Sequence, residues 1–175
     1  MHGIIFVLFS KFVREKHDMK TLFKIQEEAG LKFKIHEVNK SHPDEEIVAL
    51  LQASCKILKV ELTDLLESFG YYIAPELLKT YKSYLNPEWK SLDLLEHIEE
   101  TMHRVVRSNT PDADPPKLEI SRISKDQVRI IYTSPRKIIS LGVGIIKAIG
   151  DNYQEKLKIE QIDIEDGTQL DIFLM

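Results

Sequence analysis

Two groups of side chains in this sequence have types and spacings suited to holding a ligand. The first centres on His103, in a run from Ser91 to Arg107 that reads as the longest clear helix of the first two-thirds. At about 100° of rotation per residue, Leu94, Leu95, Ile98, Met102 and Val105 form one apolar stripe. His103 lies at its margin and His97 on the polar side. A lone histidine at a core edge is, taken by itself, better explained as a hydrogen-bonded packing residue. A neutral imidazole bordering an apolar pocket is also what a haem iron needs as its protein ligand. The second group is Tyr132-Thr133-Ser134-Pro135-Arg136, at the end of a strand-like run. Side chains alternate along a strand, so Tyr132, Ser134 and Arg136 can point the same way. Two hydroxyls and a guanidinium fork in a row suit a carboxylate. A polar strand end facing solvent would look the same. Between the two groups, Pro115-Pro116 reads first as punctuation before a strand.

The elements that must position these residues divide into helices, then strands. Ile4–Lys16 and Met19–Ala29 are helical, with Leu22 and Ile25 at helical spacing and Gly30 closing the second. Ser41 reads as the cap of a helix that has Pro43 and acids in its first turn and a stripe of Ile47, Leu50, Leu51, Ser54 and Leu58. A short helix begins at Thr63 and is closed by Gly70. The segment from Ser108 to Pro116 is a loop rich in turn residues. Strands follow at Lys117–Ile123 and Gln127–Ser134, then an apolar helix at Lys137–Tyr153, then strands at Leu157–Ile164 and Gln169–Leu174. The fold class is therefore α+β: an N-terminal helical part, then a small antiparallel four-stranded sheet with a packed helix. The expected organisation is a single domain over 1–175, with a helical subdomain at 1–110 and a sheet-containing one at 111–175.

Bulk properties exclude several classes of function. With 175 residues the chain can bury a core without staples. A net charge of −4 and no basic stripe argue against nucleic acid. The single cysteine, Cys55, excludes an internal disulfide or a multi-cysteine metal site, and its apolar-periodic surroundings predict a buried, inert thiol. The apolar start, Ile4 to Phe9, is too short to span a bilayer and has no basic stretch before it or cleavage site after it. No membrane insertion is expected, and the protein reads as cytoplasmic. His2, His17, His36 and His42 read as surface residues at termini, helix ends or loops.

Taken in order, these features resemble the haem-nitric oxide/oxygen binding (H-NOX) family, which includes the haem domain of soluble guanylate cyclase. Met1-His2-Gly3 followed by an apolar helix matches the family's start. A helical His about a dozen residues before Pro115-Pro116, then Tyr132-x-Ser134-x-Arg136 about sixteen residues later, matches its order and spacing. The resemblance covers essentially the whole chain. It implies haem b (iron protoporphyrin IX) buried between helices and sheet, with His103 as the only protein ligand to ferrous iron. Tyr132, Ser134 and Arg136 would bind the propionates, and Pro116 and Ile5 would press on the porphyrin and bend it.

The oxygen-binding branch of this family places a distal Tyr on the helix after the signature, where this sequence has Leu141. Two supporting positions correspond to Phe9 and Ile73. An apolar distal wall implies weak oxygen binding and effective binding of nitric oxide, and also of carbon monoxide. Tyr71 and Tyr72 lie close to Ile73 in sequence and are the one source of a hydroxyl near that wall. The implied function is a gas sensor with no enzymatic activity, in which nitric oxide weakens the bond from iron to His103 and the helix bearing His103 shifts. The implied partner is a histidine kinase or a cyclic-di-nucleotide enzyme. Two alternatives remain open at this point: an oxygen-binding haem protein of the same family, and a non-haem binding protein for an apolar carboxylate.

Overall fold

A computed structural model describes residues 1–32, 34–110, 112 and 114–175. Helix α1, Gly3–Lys16, starts at His2, whose ring accepts from the Ile4 N–H, and buries Phe6, Phe9, Phe12 and Val13 along one stripe. Helix α2, Met19–Glu28, is capped by Asp18, which accepts from the Thr21 N–H at 2.6 Å. Gly30 follows it with φ +70°, the left-handed turn that glycine adopts without penalty. Helix α3, Asp44–Leu58, has three acids in its first turn, where the helix dipole favours them. Its N-cap is Pro43, with no side-chain cap. Ser41, expected to cap it, instead pairs with His2 in an isolated β-bridge. Cys55 on α3 is half-buried, and burial raises its thiol pKa, as an inert thiol requires.

Helix α4 departs most from expectation. It spans Leu62–Thr80 and runs straight through Gly70 and on through Pro75. Gly70 does not end the helix because its role is packing. A Cβ there would lie 2.0 Å from the Leu141 carbonyl oxygen, and one at Gly144 would lie 2.0 Å from that of Glu67. The two glycines let α4 and helix α7, Ile139–Asn152, bring their backbones together.

The run expected as one helix over Ser91–Arg107 is interrupted. Helix α5, Ser91–Ile98, passes into a π-helical turn over Glu99–His103 and then into α6, Arg104–Asn109. Ser108 and Asn109, expected to be loop, are still helical; Pro111 and Ala113 of the same expected loop lie outside the described residues. The strands are β1 (Lys117–Ser124), β2 (Gln127–Thr133), β3 (Leu157–Ile164) and β4 (Gly167–Leu174). They form one antiparallel sheet in the order β1-β2-β4-β3. The α+β class with a four-stranded antiparallel sheet is thus what the chain adopts.

Burial divides into two apolar clusters. One joins α1 to α4; the other lies between α5, the sheet and α7, and takes in Val128, Ile130, Leu170 and Ile172. Leu77 and Ile145 touch both, on the paired helices α4 and α7. Among the described residues no helix is long and apolar enough to cross a membrane.

Candidate functional site

A cavity of about 200 Å³ opens where the two clusters meet. Its walls come from five places: Ile4 and Ile5 of α1, Leu77 and Leu78 of α4, Met102 and His103 of the π turn, Tyr132 and Leu170 of the sheet, and Leu141 and Ile145 of α7. Pro115 and Pro116 complete the wall between the His103 helix and β1. Most lining side chains are apolar, so each polar group that reaches the cavity is informative.

His103 reaches it. The π turn carries one extra residue per turn over Glu99–His103, and the Arg104 N–H bonds back to Glu99 O. Such turns re-aim side chains and recur at functional sites. Its ring Nδ1 lies 2.8 Å from Glu99 Oε2, so the carboxylate fixes the tautomer with the proton on Nδ1. Nε2 is then the bare nitrogen, and it has no hydrogen-bond partner among the described residues. Glu99 is in turn held by Arg107. Burial pushes the Glu99 carboxyl up, but hydrogen bonds from His103 and Arg107 outweigh it and hold the group below the usual carboxylate range. Sequence reasoning missed Glu99. The signal was its i, i+4 spacing from His103, the spacing at which helical side chains meet.

Tyr132, Ser134 and Arg136 all line the same cavity. Tyr132 sits on β2 opposite Leu118 of β1 and Thr168 of β4. Its hydroxyl is buried and has no hydrogen-bond partner among the described residues. A buried donor left unpaired costs about 1–3 kcal/mol, so this hydroxyl points to an acceptor supplied by a ligand. The Ser134 hydroxyl accepts from the Arg136 N–H at 3.3 Å. The Arg136 side chain is 7 % exposed. Its Nη1 donates to the Asp114 carbonyl at 2.6 Å, and its Nε stands 2.7 Å from Asp44 Oδ2, a close ion pair without hydrogen-bond alignment. Asp44 also accepts from the N-terminal ammonium at 2.7 Å. Burial raises the Asp44 pKa, yet the ammonium and Arg136 together bring it below its ordinary value.

Of the other residues singled out in the sequence, Ile5, Pro116 and Leu141 line the cavity. Phe9 and Ile73 do not; both are fully buried in the α1–α4 cluster, whose partly buried fringe includes Ile5 and Leu141. The Tyr71 hydroxyl donates to Asp151 at 2.6 Å and the Tyr72 hydroxyl to Glu15 at 2.5 Å, both away from the cavity. His97 stacks on Trp89, with ring centroids 4.5 Å apart, outside the cavity. Two histidines expected at the surface are elsewhere. His2 lines the cavity with its Nε2 3.1 Å from Thr110 Oγ1, and His36 is buried.

A family model described as "Haem-NO-binding" matches residues 2–161. No curated protein matches the sequence. Among solved structures, an H-NOX protein from S. oneidensis in the Fe(II)NO ligation state superposes with a TM-score of 0.91 at 20% identity, covering 100% of this chain and 99% of that one. A mutant H-NOX protein from K. algicida, Fe(II) and unliganded, gives 0.90 at 24% identity, covering 100% and 97%. A mutant of the T. tengcongensis H-NOX gives 0.88 at 16% identity, covering 99% and 97%. At these identities the structural likeness establishes the shared fold.

Proposed function

Since the chain belongs to the haem-NO-binding family, a family of haem-based gas sensors, we propose that it binds haem b in the cavity through His103 and reports nitric oxide to a separate protein. One observation carries this reading: the partnerless Tyr132 hydroxyl and the bare Nε2 of His103 line one largely apolar cavity. A flat apolar group bearing carboxylates at one edge answers both. Haem, when bound there, supplies the iron at which a diatomic gas is held.

The remaining chemistry belongs to the chain. His103 offers Nε2 to the metal while Glu99 anchors Nδ1, the kind of second partner that orients a ligating imidazole and raises its basicity. Tyr132 and Ser134 would donate to propionate oxygens and Arg136 would add its charge, with Asp44 and Asp114 holding the guanidinium in position. Ile5 and Pro116 line the cavity and would press on a haem ring held there. Leu141 lines the gas side, with Phe9 and Ile73 packed behind it. That wall offers no hydrogen-bond donor, which disfavours oxygen, whose bound form carries negative charge, and leaves nitric oxide and carbon monoxide unaffected. The π turn would serve as the pivot: a change in what His103 holds would let α5 and α6 re-pack about Glu99–His103, the two-state element that a sensor needs. The partner that reads this shift is a histidine kinase or a cyclic-di-nucleotide enzyme, and the domain itself catalyses nothing.

Absorption spectra of the purified ferrous protein test the reading. The expected result is an intense Soret band that shifts with nitric oxide and with carbon monoxide but not on exposure to air, apart from slow oxidation. A colourless protein that cannot be reconstituted with haem would overturn it. A stable oxygen complex would overturn the nitric oxide assignment alone.

A further inference from the structure

A second group of donors lies outside the cavity, where the loop before α3 folds over the start of α1. His36, His42 and Glu46 each bring one ligand-type atom within 4.8 Å of the others. We propose that His36, His42 and Glu46 form a site for a divalent transition-metal cation of the zinc type, with three protein ligands and one open position.

The framework is built before any cation arrives. The His36 ring stacks on Phe6, centroids 4.1 Å apart and 15° from parallel, and its side chain is only 5 % exposed. The loop is pinned to α1 by hydrogen bonds from the Gly3 N–H to Lys40 O at 2.8 Å and from the His42 N–H to Met1 O at 2.9 Å. Gly3 permits this approach, since a Cβ there would lie 1.9 Å from the Glu37 carbonyl oxygen. Glu46 comes from the other side, in the first turn of α3.

The donor atoms already sit close to ligand spacing. His36 Nε2 and Glu46 Oε2 are 2.9 Å apart, joined through one proton. A cation at Nε2 displaces that hydrogen, which moves to Nδ1 as the ring changes tautomer, so His36 ligates as a neutral imidazole. Ligands about 2.0–2.1 Å from a tetrahedral zinc stand roughly 3.3 Å apart. The widest pair must therefore close by about 1.5 Å from its 4.8 Å. His42 can make that movement: it is half-exposed, and its Nε2 is held only by the Glu37 carbonyl oxygen at 3.1 Å. Lys34 engages the other Glu46 oxygen, Oε1, and so competes for the carboxylate without blocking Oε2. Two imidazoles and one carboxylate favour zinc-like ions over magnesium or calcium, which prefer all-oxygen shells. A cation here would tie the loop to the helical turn that also carries Asp44, the partner of Arg136.

Equilibrium dialysis of the full chain against Zn²⁺, with excess Mg²⁺ throughout and zinc measured by mass spectrometry, tests this. The expected result is one zinc per chain with a dissociation constant on the order of micromolar or tighter. His42→Ala should weaken binding by at least about tenfold with an unchanged circular dichroism spectrum. Lys34→Ala should bind as tightly as the parent or more tightly, because it removes the competing ammonium. Zinc bound at less than one per chain, or bound equally by the His42→Ala variant, would mean adventitious surface binding only and would overturn the site.

Discussion

Replacing Tyr132 with Phe should have opposite effects on the haem-free and haem-bound protein. Tyr132 is 7% exposed, and its hydroxyl is buried without a partner among the described residues. Phe fills the same space without the oxygen, so the haem-free protein loses an unsatisfied donor and little else. The penalty relieved is about 1–3 kcal/mol. At about 2–4 °C per kcal/mol for a chain of this size, the melting temperature of the haem-free variant should rise by roughly 2–12 °C. With haem bound, the same change deletes a hydrogen bond to a charged carboxylate, a loss of about 1.5–3 kcal/mol. That corresponds to haem dissociation roughly ten- to a hundredfold faster. Calorimetry of the haem-free proteins and transfer of haem to excess apomyoglobin, followed at the Soret band, measure the two effects. A lower haem-free melting temperature, or an unchanged rate of haem loss, would refute the assignment of this hydroxyl to a ligand.

Glu99→Gln keeps an oxygen to accept from His103 Nδ1 but removes the negative charge beside the imidazole; haem content should hold while the reduction potential rises in a potentiometric titration, and an unchanged potential would contradict an electronic role for Glu99. Gly144→Ala drives a methyl toward the Glu67 carbonyl oxygen, 2.0 Å away, and should cost at least about 1–3 kcal/mol in urea unfolding; full stability would mean α4 and α7 are not held this close. Asp171 accepts hydrogen bonds from Arg129, Gln127 and Gln169, and Arg129 above all holds its pKa below the ordinary 3.8. The unfolded chain therefore takes up this proton first as pH falls, so the stabilisation is complete above about pH 3.8 and is lost below it, through the folded pKa. Asp171→Asn should be less stable than the parent at pH 7 by about 1.5–3 kcal/mol, with the gap closing below that range; a pH-independent gap would show the charge to be irrelevant.

Local signals in the sequence were read correctly where local physics decides the outcome. The stripe of α3, the glycine after α2 and the alternation in β1 and β2 all depend on neighbours in the chain. Gly70 is the opposite case: the same residue type that ends α2 at Gly30 continues α4, because α7 supplies a backbone for it to touch. Nothing within α4 records the presence of α7. The π turn was illegible for a related reason, since a wheel of fixed pitch cannot register one extra residue. Even so, it placed His103 at the edge of the buried stripe, where the cavity begins. His36 was read as a surface residue because only the tertiary approach of Phe6 buries it. That Tyr132, Ser134 and Arg136 share one side was legible from strand alternation, and all three line one cavity; the two acids that hold the arginine, Asp44 and Asp114, were not legible.

The most direct test of His103 as the haem ligand is the absorption spectrum of the His103→Gly variant, recorded with and without added imidazole. Removing the side chain leaves Glu99 facing a gap into which free imidazole can bind and donate the same hydrogen bond to the carboxylate. The variant should lose haem, or hold it only when imidazole is present, with the ferrous spectrum of the parent restored on its addition. A variant that keeps the parent's ferrous spectrum with no imidazole would place the iron ligand elsewhere in the chain.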